Sequence, residues 1–139
     1  MSTPESLTHD YFRACNERDF DLFDRVFPPD FVSHLRLGDV LGLPAFKSLM
    51  VQVFEAFPDV RWTMHEGIYT ADRAVVRYAF SGTHSAPFLG IAPSGLTVAT
   101  EGCEVAHIRG GLIAEIWNYA DIMGLAARLR SPDPLALKI

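Results

Sequence analysis

Cysteine is scarce in this chain, and long apolar runs are absent. Cys15 and Cys103 are the only cysteines among 139 residues, and neither belongs to a CxxC motif or to a Cys/His spacing typical of a metal site. The simplest interpretation is two reduced thiols in a cytoplasmic protein. The apolar runs are short and broken by proline or glycine, which argues against a membrane span. Residues 1–12 lack a basic stretch followed by an apolar one, so no signal peptide is expected.

Positive charge is also sparse. The 12 Lys and Arg residues are outnumbered by 17 Asp and Glu, the formal net charge is −5, and no basic cluster occurs. Nucleic acid is therefore not an expected partner. The chain is instead 49% hydrophobic, with ten Phe and two Trp. This composition predicts a single folded domain over residues 1–139, with a tail at about 131–139, and leaves room for an apolar pocket.

Hydrophobic periodicity divides the chain into helices and strands. Apolar residues at helical spacing predict helices at 4–26, with an interruption near 16–19, at 45–57 and at about 121–130. Strand-like segments lie at 30–36, 60–71, 74–84, 96–108 and 112–119, and the glycines and prolines of 38–44 and 87–95 indicate loops. This order predicts an α+β fold in which about three helices pack on one face of a curved, mostly antiparallel sheet. Such a cone can enclose a small molecule.

The last predicted hairpin ends on an acidic residue. Gly110-Gly111 is a turn signal. After it, side-chain alternation places Glu115, Trp117 and Tyr119 on one face, together with Asp121 if the strand extends that far. A carboxylate at the end of an aromatic face can serve as a tuned acid or base. Asp121 also precedes a predicted helix, where an N-cap is expected, and spacing alone favours the cap.

Several short motifs occur in order and resemble a known family. The segments are Ala56 to Asp59, Gly82 to His84, Phe88 to Gly90, Pro93 to Gly95 and Ile113 to Asp121. Through them the chain resembles the SnoaL-like polyketide cyclases of the NTF2-like superfamily over about residues 5–130. It departs from the family pattern in its Pro-Ser-Gly and Gly-Gly-Leu turns, in Ser33 before His34, and in His107, where many members have Arg.

The resemblance implies a cofactor-free, metal-free enzyme of secondary metabolism that closes a ring by intramolecular aldol condensation. It implies Asp121 as the general acid/base and His107 as its assistant. The expected ligand is a small hydrophobic compound that contains carbonyl groups. The residues expected to bind it are His34 at the cone mouth and the aromatic wall of Trp62, Phe80, Trp117 and Tyr119. His84 is expected to hold the following loop by a structural hydrogen bond.

Two other kinds of function stay open on the same fold. One is a different acid/base reaction: double-bond isomerisation, which needs a tyrosine and a second acid deep in the pocket, epoxide hydrolysis or accessory hydroxylation. The other is a non-catalytic module that binds a small ligand or dimerises. In each case the sheet face not covered by helices needs a cover, so we expect a homodimer through that face. The residues predicted to line it are Val98, Val105 and Ile116.

Overall fold

A computed structural model describes residues 2–130. The predicted tail at 131–139 lies outside the described residues. Four helices are present in the described part of the chain, α1 (Pro4–Glu17), α2 (Phe20–Val26), α3 (Leu43–Ala56) and α4 (Ile122–Arg130). Its six strands are β1 (Val32–Leu35), β2 (Gly38–Leu41), β3 (Arg61–Tyr69), β4 (Arg73–Thr83), β5 (Thr97–Arg109) and β6 (Leu112–Ala120).

The predicted interruption between the first two helices is confirmed, and local chemistry explains it. α1 begins with a capping box, in which the Thr3 side chain accepts a hydrogen bond from the Ser6 backbone N–H at 3.0 Å. It ends at Arg18, which adopts the left-handed conformation typical of a helix C-terminus. Asp19 then caps α2 by accepting from the backbone N–H of Leu22.

All six strands form one sheet in the order β2-β1-β6-β5-β4-β3. β1 runs parallel to β6, and the other neighbours are antiparallel. Register shifts between Met64 and Glu66 and between His107 and Ile108 are of the kind that increases strand bending. The predicted α+β cone is confirmed, with four helices where about three were expected.

The segment predicted as a loop at 38–44 is partly wrong, because residues 38–41 form β2. This strand is the edge partner of β1 in a tight hairpin. Its four residues are mostly exposed, so it carries no alternation of apolar and polar side chains that sequence analysis could detect.

The helices cover one face of the sheet, which we call the inner face. The burial of β4 and β5 alternates along each strand, and the buried residues of β5 are Val98, Thr100, Gly102, Glu104 and Ala106. Between the helices and this face lies a cluster of aromatic rings, including Phe23, Phe27, Phe31 and Phe46. None of the helices in residues 2–130 is both long and apolar enough to span a membrane.

The residues expected to line the uncovered outer face need a correction. Val98 is 7% exposed and Ile116 is 1% exposed, and both point into the core. Val105 lies on the outer face beside its register partner Trp117. Val98 and Val105 are an odd number of positions apart on one strand, so strand alternation puts them on opposite faces.

Candidate active site

The cone contains a small inner chamber that opens into a wider mouth. The chamber has a volume of about 140 Å³ and the mouth about 660 Å³. The walls of the mouth come from α3, the β1–β2 turn and residues 86–90. Residues that line both spaces show that they adjoin, and these are Leu35, Leu49, Val53, Phe88, Asn118 and Ile122.

A carboxyl group lies in the wall of the inner chamber. Glu104, on β5, is only 7% exposed. Its Oε1 accepts hydrogen bonds from the Tyr11 hydroxyl at 3.2 Å and from Asn118 Nδ2 at 2.9 Å. Oε2 has no hydrogen-bond partner among the described residues. In this part of the chain, His84 Nε2 is the only fully buried side-chain nitrogen or oxygen atom that lacks a partner, so Oε2 is not fully buried. Oε2 therefore keeps contact with the open space of the cavity.

The environment of Glu104 changes its acidity. Burial raises the pKa of Glu104 from 4.5 to about 7, because desolvation penalises the carboxylate, and the hydrogen bonds from Asn118 and Tyr11 only partly offset this. A group with this pKa populates both protonation states near neutral pH. It can therefore take up a proton in one step and return it in the next.

The groups around this carboxyl are neutral hydrogen-bonding side chains. Tyr78 Oη accepts a hydrogen bond from Asn118 Nδ2 at 2.8 Å. Burial, followed by the nearby charge of Glu104, raises the pKa of both Tyr11 and Tyr78. Burial likewise raises the pKa of Cys15, which also lines the chamber. These groups stay protonated while Glu104 titrates.

Two of the residues predicted to bind substrate line the same chamber. Trp62 and Phe80 face inward from β3 and β4, and their rings pack edge to face with centroids 5.5 Å apart. They form part of the apolar wall of the chamber.

The other predicted residues on the sheet lie on its outer face. His34 Nε2 is 2.5 Å from Glu115 Oε2, and His34 Nδ1 is 2.8 Å from Asp39 Oδ1. The Trp117 ring stacks on His34, with centroids 4.9 Å apart, and contacts the tilted ring of His107, with centroids 4.4 Å apart. Tyr119 lies on the same face, beneath the guanidinium group of Arg36.

The two outer histidines have opposite electrostatic environments. Hydrogen bonds to Glu115 and then Asp39 raise the pKa of His34, because both carboxylates stabilise the imidazolium. Partial burial and then the charge of Arg73 lower the pKa of His107. His107 is therefore mainly neutral at pH 7.

Asp121 is the N-cap of α4, the role that its spacing favoured. Its Oδ1 accepts a hydrogen bond from the Gly124 backbone N–H at 2.9 Å, and its side chain is exposed. The backbone of Asp121 bonds to Glu101, whereas His107 pairs with Glu115 in the sheet. Glu101 and His107 are six positions apart on β5, a separation of about 20 Å along a strand. The structure does not bring Asp121 and His107 together.

The prediction for His84 is confirmed. The side chain is fully buried, and its Nδ1 accepts a hydrogen bond from the Ser94 backbone N–H at 3.1 Å. This bond ties the end of β4 to the loop that follows it.

Sequence analysis missed the polar residues of the chamber, namely Tyr11, Tyr78, Glu104 and Asn118. A signal for two of them was present. Glu104 alternates with Gly102 and Ala106, and Asn118 alternates with Ile116, so each is a polar residue on the apolar face of its strand. Within residues 2–130, no group of three or more His, Cys, Asp or Glu side chains is arranged to hold a metal ion.

Comparison with known protein families identifies the family of this cone-shaped fold. The family model of the SnoaL-like polyketide cyclases matches residues 6–129. The chain belongs to this family. No curated protein matches this SnoaL-like chain at a significant level.

Solved structures of other proteins have the same fold. IdmH from Streptomyces antibioticus, a proposed polyketide cyclase, is 26% identical, with a TM-score of 0.79 over 92% of this chain and 99% of that one. AclR from Streptomyces galilaeus, a proposed hydroxylase, is 24% identical, with a TM-score of 0.80 over 94% and 83%. A proposed SnoaL-like polyketide cyclase from Jannaschia sp. CCS1 is 20% identical, with a TM-score of 0.83 over 96% of this chain and 97% of that one.

Proposed function

We propose that this SnoaL-like protein is an enzyme that closes a ring in a carbonyl-rich hydrophobic substrate by an intramolecular aldol reaction, with Glu104 as general acid/base. The observation that carries the proposal is a buried carboxyl group with one unpartnered oxygen on an open apolar cavity. Family membership supports the reaction class. No metal or cofactor is part of the proposal.

Glu104 can serve both proton transfers of an aldol reaction. Oε2 removes a proton from a carbon between two carbonyl groups, and the electron pair moves onto the carbonyl oxygen to give an enolate. The enolate carbon attacks a second carbonyl of the same molecule, which forms the new carbon–carbon bond and an alkoxide. Protonated Glu104 then returns its proton to the alkoxide, so the carboxylate is regenerated without an oxidant or reductant.

The surroundings of Glu104 suit this cycle. Oε1 is held by Tyr11 and Asn118, so Oε2 is the oxygen that faces the substrate. Trp62 and Phe80 provide an apolar wall that keeps water away from the enolate. A base in such a site needs little solvent reorganisation when charge moves from the carboxylate to the substrate.

The family resemblance gives the acid/base role to Asp121 and His107 instead, and the two assignments are separable by experiment. Hydrogen–deuterium exchange at the central carbon of an acyclic 2-alkyl-1,3-diketone, which is un-ionised near pH 7, reports the first proton transfer directly when it is followed by NMR. We expect Glu104→Gln to slow the enzyme-dependent exchange by roughly 10²-fold or more, since it keeps the shape and removes the base. We expect Asp121→Asn and His107→Gln to stay within a few-fold of wild type.

The assignment of Glu104 is contradicted if the Glu104→Gln variant still catalyses hydrogen–deuterium exchange of the diketone at the wild-type rate. Loss of exchange in Asp121→Asn, with its fold intact by circular dichroism, moves the role to the residue that the family resemblance indicated. A wild type that binds none of a panel of aromatic 1,3-diketones argues against the enzyme as a whole.

Double-bond isomerisation is a second candidate, because Tyr11 and Tyr78 lie beside Glu104 in the chamber. This reaction begins with the same proton abstraction and differs in where the proton is returned. A β,γ-unsaturated cyclic ketone tests it, since isomerisation yields a conjugated enone with a new ultraviolet absorption. Formation of the enone without ring closure of a polycarbonyl compound favours the isomerase.

We also propose that the protein is a homodimer joined through the outer sheet face. Val105, Trp117 and Tyr119 lie on that face, and Tyr119 is among the exposed large hydrophobic residues. A paired outer face would remove this apolar surface from water.

Cys15 and Cys103 are both free thiols, which supports the expected cytoplasmic location.

A further inference from the structure

Asn118 organises the polar side of the inner chamber. Its amide nitrogen lies 2.8 Å from Tyr78 Oη and 2.9 Å from Glu104 Oε1. When Glu104 is ionised it can only accept, so the amide NH₂ must face the carboxylate. The same NH₂ then donates its second hydrogen to Tyr78.

This arrangement leaves the Tyr78 hydroxyl proton without an acceptor in the described part of the chain. A phenolic oxygen that accepts from Asn118 still has one O–H to donate. Tyr78 lines the inner chamber, which also contains Glu104. The Tyr11 hydroxyl differs, because its proton is already donated to Glu104.

The backbone opposite Tyr78 is shaped to admit its hydroxyl. Gly102 pairs with Tyr78 in the sheet, and a Cβ at position 102 would lie 2.6 Å from Tyr78 Oη. Any other residue at position 102 would therefore displace the ring. The phenol is held by Asn118 on one side and by a close approach to the strand on the other.

We propose that the Tyr78 hydroxyl donates a hydrogen bond to the enolate oxygen of the substrate, and that Asn118 is the positioning residue that keeps it available. The inference rests on the proposed function. As Glu104 Oε2 takes the proton from the α-carbon, the electron pair moves to the carbonyl oxygen, which the Tyr78 O–H stabilises. The raised pKa of Tyr78 keeps it a hydrogen-bond donor and not a phenolate.

The dimensions of the cavity define the substrate class. The inner chamber of about 140 Å³ accepts about one ring, since an apolar cavity of about 150 Å³ holds a benzene molecule. The wider mouth of about 660 Å³ accommodates a larger apolar body. We therefore expect a cyclic ketone that presents one flat ring edge, with its carbonyl between Tyr78 and Glu104.

A planar phenol tests the hydrogen bond without the unknown substrate. We would titrate 2-naphthol, an enolate mimic, into wild type and Tyr78→Phe and follow its fluorescence. The matched ligand is 2-methylnaphthalene, which has the same shape and no hydroxyl. We expect Tyr78→Phe to weaken 2-naphthol binding at least about tenfold and to leave 2-methylnaphthalene binding unchanged.

Two further variants test whether the placement of the Tyr78 hydroxyl matters, and whether another hydroxyl of the chamber could replace it. Gly102→Ala displaces the Tyr78 ring and should reproduce the selective loss of 2-naphthol binding. Tyr11→Phe removes a hydroxyl whose proton is already used and should have a smaller effect. If Tyr78→Phe and wild type bind 2-naphthol with equal affinity, the inference is overturned. It is also overturned if wild type binds neither 2-naphthol nor 2-methylnaphthalene.

The role of Asn118 has its own readout in the pH dependence of diketone exchange. Asn118→Leu removes a hydrogen bond that lowers the pKa of Glu104, so the midpoint of the exchange profile should move upward from about 7. Glu104 interacts electrostatically with Tyr11, Tyr78 and Cys15, and burial keeps these three groups protonated over this range. Glu101 also lines the chamber. An unchanged midpoint contradicts the positioning role.

The two proposals fail in distinguishable ways. If wild type exchanges diketone protons and Tyr78→Phe does so equally well, the reaction stands and the role of Tyr78 falls. If wild type exchanges nothing but binds 2-naphthol through Tyr78, the hydrogen-bonding site stands and the proposed reaction falls.

Discussion

The burial of Glu104 makes the stability of the protein depend on pH. Its pKa is about 7 in the folded protein and 4.5 as a free side chain, so the folded state binds more protons between these values. The free energy of unfolding therefore falls as pH rises from 4.5 through about 7, by up to about 3 kcal/mol for this group. We expect Glu104→Gln to lack this slope and to be more stable than wild type at pH 8.

Urea denaturation at pH 5 and pH 8 measures the effect. The difference between wild type and Glu104→Gln isolates the contribution of Glu104 from that of the other titratable groups. If the free energy of unfolding changes with pH equally in wild type and Glu104→Gln, the proposal that Glu104 is a buried carboxyl group with a raised pKa is contradicted.

The two histidines that flank Trp117 offer a second test at the residue scale. His34 has a raised pKa and His107 a lowered one. We expect Glu115→Gln to lower the pKa of His34 strongly, because the imidazolium of His34 loses the contact that stabilises it most. NMR titration of His34 measures this change. Asp39→Asn should lower it less. A His34 pKa that does not respond to Glu115→Gln would show that the ion pair is absent in solution.

At the scale of elements, the loop at the cavity mouth contains a strained turn. Phe88 and Ile91 exchange two backbone hydrogen bonds, and Leu89 and Gly90 between them have φ of 52° and 70°. Two positive φ angles in a two-residue turn are typical of type I′, which favours Asn-Gly. Leu89 also lines the mouth, so an apolar wall is a reason for leucine at this strained position.

We expect Leu89→Asn to stabilise the fold by up to about 1 kcal/mol, since asparagine tolerates the left-handed conformation. The same change should weaken binding of an apolar ligand at the mouth. Thermal denaturation and 2-methylnaphthalene titration measure the two effects. Gly90→Ala is the control and should destabilise, whereas a destabilised Leu89→Asn would contradict the strain.

At the scale of the whole molecule, the uncovered sheet face predicts self-association. We expect Val105→Lys to convert a dimer to a monomer, because it places a charge beside Trp117 on the outer face. Val51→Lys is the matched control, since Val51 is 43% exposed on α3, on the helical side. Size-exclusion chromatography with light scattering measures the mass. A monomeric wild type, or an equal effect of both substitutions, contradicts the proposed interface.

The sequence by itself determined most of the elements and one local role. Helical periodicity located the helices, the polar interval at 16–19 marked the break, and alternation located five of the six strands. The cap role of Asp121 followed from its position before a helix, because capping depends only on neighbouring residues. The order of the short motifs indicated the family that the comparison later showed.

Only the tertiary structure decided which face of the sheet is inside. Alternation divides a strand into two sets of residues, but it does not say which set the helices cover. The aromatic set of β6 was expected to line the pocket, yet Trp117 and Tyr119 face outward while Asn118 faces the chamber. The parallel pairing of β1 with β6 and the chamber around Glu104 likewise depend on packing between segments far apart in the chain.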